Sequence, residues 1–336
     1  MEVSSTAIAV TESSQAGHAR RTASALAARL GFDEETQGKV AIVVSEAAKN
    51  LVAHAREGLI LLRTLHSGPH VGVEMLALDK GPGMADVDRC LRDGYSTAGT
   101  GGAGLGAMRR MASVFDIHSV PGVGTAVLAQ LWAGKPPPAS GMEVGVVCVP
   151  KVGEEVCGDS WAVDRKDGRF LFLVSDGLGH GPEAARASRA AVVSFLEQGP
   201  NELVELLRGM HQELHSTRGA AVAIAALDGA RLDFTGVGNI SAAVVSPGGI
   251  QRMVSMNGTL GHQSHRMQQF SYTWSPGASL VMCSDGLATQ WRLDGYPGLL
   301  SRHPSLVAGV LYRDFARGRD DATVLVAREA SGGGSR

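Results

Sequence analysis

Cysteine is scarce in this chain, and what there is does not pair. Cys90, Cys148, Cys157 and Cys283 form no CxxC step, which excludes a zinc knuckle and a disulfide framework and fits a reducing compartment. Charge of neither sign dominates. Lys plus Arg number 31 against 33 for Asp plus Glu, so no strong field favours nucleic acid or anionic lipid. No apolar run approaches the roughly 20 residues that span a bilayer. The opening MEVSSTAIAVTESS has no basic leader and too short an apolar stretch for a secretory signal, so the expected location is cytoplasmic, with no membrane partner. A CxxxxxR phosphatase loop and an upstream phosphohistidine hairpin are also missing. Aromatics are few, while Ala, Gly, Val and Leu are plentiful, a composition suited to helices and strands joined by tight turns.

A chain of 336 residues is long for one core and points to two domains. The break falls in residues 133–141, AGKPPPASG, because three consecutive prolines neither continue a helix nor sit inside a sheet. Before it, the pattern predicts helices over 16–30 and 33–55, with Asp33 as N-cap. Strands over 58–66 and 71–79 follow, then a Gly-rich loop from Thr97, a short helix over 107–112, and strands over 116–119 and 125–132. After the break, strands are expected over 143–149, 160–163 and 170–175, then helices over 182–197 and 201–215. Further strands are expected over 220–227, 231–237, 242–246, 279–283 and 322–327. Strands, helices and strands again suggest two packed sheets with helices outside. The expected class is α+β, with domains over 1–132 and 142–329 and a disordered tail over 330–336.

In the first domain, Glu46, Asn50 and His54 recur every four residues and share one helical face. Spacing alone is equally consistent with a solvated polar face. Downstream, Asp79-Lys-Gly81-Pro-Gly83 ends a strand in an acid and a permissive turn, and Gly101-Gly-Ala-Gly104-Leu-Gly106 opens a helix whose free N–H groups suit phosphate. The ordered set SEAAKN, DKGPGM, GAGLG and GTAV resembles the boxes of the GHKL (Bergerat-fold) ATPases, in the branch of the RsbT/RsbW-type anti-sigma serine/threonine kinases. The resemblance covers residues 16–132 and implies a two-layer α/β sandwich binding ATP with Mg²⁺. It further implies Asn50 as Mg²⁺ ligand, Glu46 as the base, and Asp79 reading the adenine amino group with Gly81 and Gly83 beside it. Gly104 and Gly106 would lie against the phosphates, and Thr125 would support the adenine end.

The second domain carries Gly158-Asp159, Ser175-Asp176-Gly177-Leu-Gly179-His180-Gly181, Ser284-Asp285-Gly286 and Arg319-Asp320-Asp321. One Asp-Gly step after a strand is an ordinary turn. Two such steps, FLFLVSDG and SLVMCSDG, with an acidic pair entering the last strand, point to converging carboxylates that favour Mg²⁺ or Mn²⁺ over zinc. The set resembles the PPM (type 2C) phosphatases of the SpoIIE/RsbX-like branch over residues 142–328, which implies an αββα sandwich holding two ions. By that resemblance Asp176 is catalytic and bridges the metals, the Gly177 carbonyl completes one, Asp285 and Asp320 hold the second, and Asp159 supports the site. Asp320 rather than Asp321 is taken as the ligand. No Arg shortly precedes Asp159 to grip phosphate; either Lys151 substitutes or the metals alone suffice. His180 is either a proton donor or a loop brace.

Together these resemblances imply a Mn/Mg-dependent protein-serine/threonine phosphatase fused to an ATP-dependent serine/threonine kinase-like domain. It would tune a phosphoserine or phosphothreonine partner, a STAS-type antagonist or scaffold of bacterial sigma-factor or stress signalling. The alternative makes the first domain a non-catalytic nucleotide-sensing module that regulates the phosphatase.

Overall fold

The computed structural model describes residues 4–55, 57–92, 104–138, 140–199, 202–262 and 266–330. Gly101, most of the expected Gly-rich loop, Asn201 at the start of the expected 201–215 helix, and residues 331–336 lie outside the described residues. The first part runs β1 (Thr6–Ala9), α1 (Ser13–Arg29), α2 (Glu34–His54), β2 (Leu59–Ser67), β3 (His70–Asp79), α3 (Val87–Cys90), α4 (Gly104–Met111), β4 (Val114–Val120) and β5 (Gly124–Trp132). Its five strands form an antiparallel sheet in the order β1-β2-β3-β5-β4. The Asp33 side chain accepts from Thr36 N at the start of α2, as an N-cap should.

The second part runs β6 (Met142–Val149), β7 (Asp159–Lys166), β8 (Arg169–Gly177), α5 (Pro182–Glu197), α6 (Leu203–Glu213), β9 (Ala220–Asp228) and β10 (Arg231–Val237). It continues with β11 (Ser241–Ser246), β12 (Gly249–Arg252), β13 (Gln269–Thr273), β14 (Ser279–Cys283), α7 (Pro304–Phe315) and β15 (Ala322–Glu329). Two five-stranded sheets result, β13-β10-β9-β8-β7 and β12-β11-β14-β15-β6. Their facing sides bury Phe172, Val174, Phe234, Met282 and Leu325 in one core. Helices α5 and α6 cover the outer side of the first of these sheets through Leu173, Phe195, Leu207 and Ile224.

The period-two side-chain alternation of strands explains how the two halves meet. In the β1–β5 sheet, Ile60, Leu62, Val73, Met75, Val127 and Ala129 point into a core with α1 and α2. The alternate residues Leu61, Leu76, Leu78, Ala126 and Leu128 are as apolar and point to the other face. A sheet apolar on both faces needs cover on both. Helix α7 supplies it: Leu306, Val307, Val310 and Leu311 belong to the same core as those five residues, together with Val147 and Val324 of the neighbouring sheet. A helix apolar all round is a buried helix, and every residue from Pro304 to Leu311 is buried. The pattern-based reading missed this element, along with β1, α3, β12 and β13. No helix among the described residues is long and apolar enough to cross a membrane.

A buried polar cluster at this seam is matched around Glu74. Arg63 donates to Glu74 Oε1 through Nε (3.1 Å) and Nη2 (2.7 Å), while Gln130 Nε2 and Ser305 Oγ each donate to Glu74 Oε2 at 2.7 Å. Burial pushes the Glu74 carboxyl up, but Arg63, His303 and the hydrogen bonds outweigh it and hold the carboxyl below its ordinary range. Asp116 of β4 accepts from His303 N at 2.8 Å, and His118 ring nitrogen Nε2 lies 3.1 Å from the Pro297 carbonyl.

Candidate functional sites

Strands β7 and β8 run antiparallel with Asp159 opposite Asp176, so both carboxylates leave the same end of one sheet. Strand β14 delivers Asp285 at the same end of the other sheet, next to the start of β15 that carries Asp320 and Asp321. Glycine follows Asp176 and Asp285 because backbone crosses directly there. A Cβ on Gly177 would collide with the Ala184 carbonyl oxygen, and one on Gly286 with that of Asp321. Asp176, Asp285 and Asp320 line a single cavity of about 440 Å³, walled also by Leu178, Gly179, Asn239, Asn257 and Thr259.

Asp159 lies behind this cavity, 2 % exposed. Its Oδ2 accepts from Ser284 Oγ at 2.6 Å, and Ser284 Oγ accepts in turn from Thr323 N. Its Oδ1 is buried with no partner among the described residues. Burial, followed by repulsion from Asp159, Asp285, Asp320 and Asp321, pushes Asp176 up to about 9. Burial and the Asp321 and Asp285 charges, against the Ser284 hydrogen bond, push Asp159 up to about 7. Burial and Asp320 also raise Asp285. Carboxylates crowded against one another, with an orphaned buried oxygen, suit a hard divalent cation, and the donors are all oxygen. Among the described residues no three His, Cys, Asp or Glu side chains close on one ion by themselves, so water would complete a shell around it. Mg²⁺ ordinarily keeps several waters.

Asp321 turns away from the cavity. Its Oδ1 accepts from Lys151 N at 2.8 Å, so it braces the loop before Asp159. His180 is not among the cavity residues; its Nδ1 lies 2.6 Å from Glu154 Oε1. Two features escaped the sequence reading. Asn239 Nδ2 donates to Asp285 Oδ2 at 2.6 Å, and Arg218 Nη1 lies 3.2 Å from where a Cβ on Gly179 would stand, an exposed cation at the cavity rim. Asn239 follows β10 and Arg218 lies between α6 and β9, both in segments that look like ordinary loops in sequence.

In the first half, α2 presents Glu46 and Asn50 toward the start of α4. A Cβ on Gly104 would lie 3.0 Å from Glu46 Oε2 and 3.7 Å from Asn50 Oδ1. Glu46 Oε1 also pairs with the exposed Lys49 at 2.7 Å. Gly106 is buried within α4. Asp79 ends β3 opposite Thr125. Its Oδ1 accepts from Gly81 N (2.7 Å) and Thr125 N (3.3 Å), leaving Oδ2 for another donor. Burial raises Asp79, opposed by those bonds and by the Arg313 and His54 charges. Gly83, at φ 68°, passes under the Val120 carbonyl. Thr125 Oγ1 lies 2.9 Å from Ser119 Oγ, which also accepts from Met84 N. All the described nucleotide-site candidates therefore lie on the helical side of this sheet or at its β3–β5 end.

Known proteins resemble the chain in two separate stretches. The histidine kinase-like ATPase domain family matches residues 9–131, and the stage II sporulation protein E (SpoIIE) family matches residues 166–329. Serine/threonine-protein kinase RsbT of Bacillus subtilis is 34% identical over 114 residues, 34% of this chain and 86% of RsbT. Phosphoserine phosphatase RsbX of the same organism is 29% identical over 141 residues, 41% of this chain and 70% of RsbX. A solved chain from the bacterial stressosome, described as a modular system adapted to control secondary messenger signalling, superposes with a TM-score of 0.52 at 31% identity. That match covers 56% of this chain and 99% of the solved one. The protein thus belongs to two families on one chain, joining an RsbT-type histidine kinase-like ATPase domain to a PP2C-type phosphatase domain of the SpoIIE family.

Proposed function

We propose that residues 142–329 form a Mg²⁺- or Mn²⁺-dependent protein-serine/threonine phosphatase, and that residues 1–132 bind ATP with Mg²⁺ and phosphorylate the same class of partner. The partner we infer is a cytoplasmic STAS-type antagonist or scaffold of stress or sigma-factor signalling, carrying phosphoserine or phosphothreonine. The observation that carries the reading is the single cavity onto which Asp176, Asp285 and Asp320 open from two different sheets. Relatives named as a serine/threonine kinase and a phosphoserine phosphatase, one matching each half, support opposing activities on one chain.

Bound divalent cations would supply charge neutralisation for phosphate and acidified water at neutral pH. Asp176, Asp285 and Asp320, with the Gly177 carbonyl, would hold them, and Asp159 would anchor the cluster through Ser284. Asn239 keeps Asp285 turned to the cavity. Arg218 stands where a phosphate could enter past Gly179. In the kinase-like half, Glu46 beside Asn50 is placed to accept a proton from an attacking hydroxyl near the metal-bound γ-phosphate.

The test is Mn²⁺-dependent phosphate release from a phosphoserine protein by wild type and Asp176→Asn, run beside γ-phosphate transfer from ATP. Release by wild type alone is expected. No release together with no Mn²⁺ binding would sink the phosphatase reading. The shared core around α7 favours a second reading of the first half, in which ATP is sensed rather than turned over. ATP binding without phosphate transfer would select it.

A further inference from the structure

The back of the nucleotide site is built by the phosphatase half. Helix α7 ends beneath the strand end that carries Asp79, and Arg313 Nη1 donates to the Asp79 carbonyl oxygen at 2.8 Å and toward that of Thr125 at 3.4 Å. Asp79 and Thr125 are the opposed residues that close β3 against β5. The same pair supplies the Asp79 carboxylate with its Thr125 N contact. One guanidinium therefore ties the backbone on which that carboxylate stands.

Arg313 is itself fixed. Its side chain is 6% exposed, and a buried guanidinium needs its donors matched. Nε donates to Asp314 Oδ1 at 3.0 Å and Nη2 to Asp314 Oδ2 at 2.6 Å, while Tyr296 OH donates to the same Oδ2 at 2.8 Å. The Nε–Nη2 edge is held by the phosphatase half, so Nη1 reaches the first half at a defined place. A residue serving only to glue the halves would have no reason to converge on the two carbonyls at the adenine end.

We propose that Arg313 is a positioning residue of the nucleotide site: by clamping the Asp79 and Thr125 carbonyls from behind, it sets the direction of the Asp79 carboxylate and hence the preference for adenine. The inference rests on the reading of Asp79 as the group that meets adenine. The nucleotide site is complete only with a side chain from the phosphatase half.

The experiment is titration of the full chain with fluorescent ribose-labelled ATP and GTP, for wild type, Arg313→Ala, Arg313→Lys and Asp79→Asn. Arg313→Ala is expected to weaken ATP on the order of tenfold, the worth of a charged hydrogen bond, and GTP much less, so the ATP:GTP preference falls. Arg313→Lys keeps the charge but not the fork and should recover part of that preference. If Arg313→Ala does not fold, as a thermal scan would reveal, Arg313→Lys carries the test with a reduced preference expected. An unchanged preference in the folded Arg313 variants, beside a collapsed one in Asp79→Asn, would overturn the positioning role alone. An unchanged preference in Asp79→Asn would overturn the adenine reading of Asp79, and the proposal with it.

Discussion

Arg313 Nη1 and the Asp79 carbonyl oxygen are joined at 2.8 Å across 234 positions of sequence. The contact gives α7 a neighbour at each of the two sites. At its C-terminal end, Ala288 N donates to the Phe315 carbonyl and Arg317 N to that of Gly286, beside Asp285. Residues 316–319 then lead from α7 to Asp320 at the cavity. A rigid helix that touches both sites is a physical route for coupling, provided it has two arrangements.

Asp176→Asn and Asp285→Asn should each abolish phosphate release while leaving ATP affinity measured without Mn²⁺ unchanged, and Asn50→Ala should abolish ATP binding while phosphate release measured without ATP is unchanged. Asp176 is pushed up by burial and by its acidic neighbours, so folding the metal-free protein must protonate it. An amide avoids that cost and should also raise the melting temperature of the metal-free protein, a trade of function against stability seen at strained sites. Thermal unfolding in chelator checks this. A lower melting temperature for metal-free Asp176→Asn would mean that the carboxylates are not in mutual repulsion.

Arg218 at the rim faces phosphate on its way to an acidic cavity. Because the residue is exposed, its charge is screened and its effect modest. Arg218→Ala should raise KM for a phosphoprotein by roughly fivefold, the factor that an exposed charge pair of about 1 kcal/mol is worth, with kcat little changed. The effect should shrink at high salt. A fall in kcat with constant KM would place Arg218 in the chemical step instead.

The seam between the halves should weaken in acid. Burial is the main cause that lowers His303, against the Glu74 charge, and its Nδ1 accepts from Ser305 N, so the ring is neutral in the fold. A depressed folded pKa means stability present above the unfolded value of about 6.5 and lost as pH falls through the folded one. Glu74, also depressed, acts with the same sign at lower pH. The aspartates raised at the cavity act oppositely in metal-free protein, losing stability as pH rises, so the readout is a difference. Wild type should lose melting temperature relative to His303→Asn between pH 7 and 5. A difference that stays constant with pH would show that His303 does not titrate on unfolding.

The strand-borne half of this architecture was legible. Alternating or continuous apolar runs marked β2, β3, β5, β8, β9 and β14, and the Asp-Gly steps at two strand ends flagged Asp176 and Asp285 because a turn glycine after an acid is visible locally. Residues 304–315, PSLVAGVLYRDF, carried no such signal, since a helix buried on all sides has no polar stripe to betray its period. The exposed edge strand β12, GIQR, failed for the opposite reason, having no buried face. Arg313, Asn239 and Arg218 were invisible because their roles depend on long-range packing. The apolar second face of β5, all nine residues buried, was the clue that another layer had to cover it.

The most demanding consequence of α7 is reciprocity. If ATP changes the affinity of the cavity for Mn²⁺, Mn²⁺ must change the affinity for ATP by the same factor, typically about fivefold or more when two sites are coupled. Mn²⁺ also binds ATP itself, so the control is Asp176→Asn, whose cavity should not load. ATP affinity measured at fixed Mg²⁺ should shift on adding Mn²⁺ in wild type and not in Asp176→Asn. Arg313→Ala should shrink the wild-type shift, because it severs the contact between α7 and the Asp79 strand end while leaving the cavity intact. Equal shifts in wild type and Arg313→Ala would mean that any coupling travels by another path, such as the buried Glu74–Ser305 contact. No shift in wild type would mean that the two halves share a core yet bind their ligands independently.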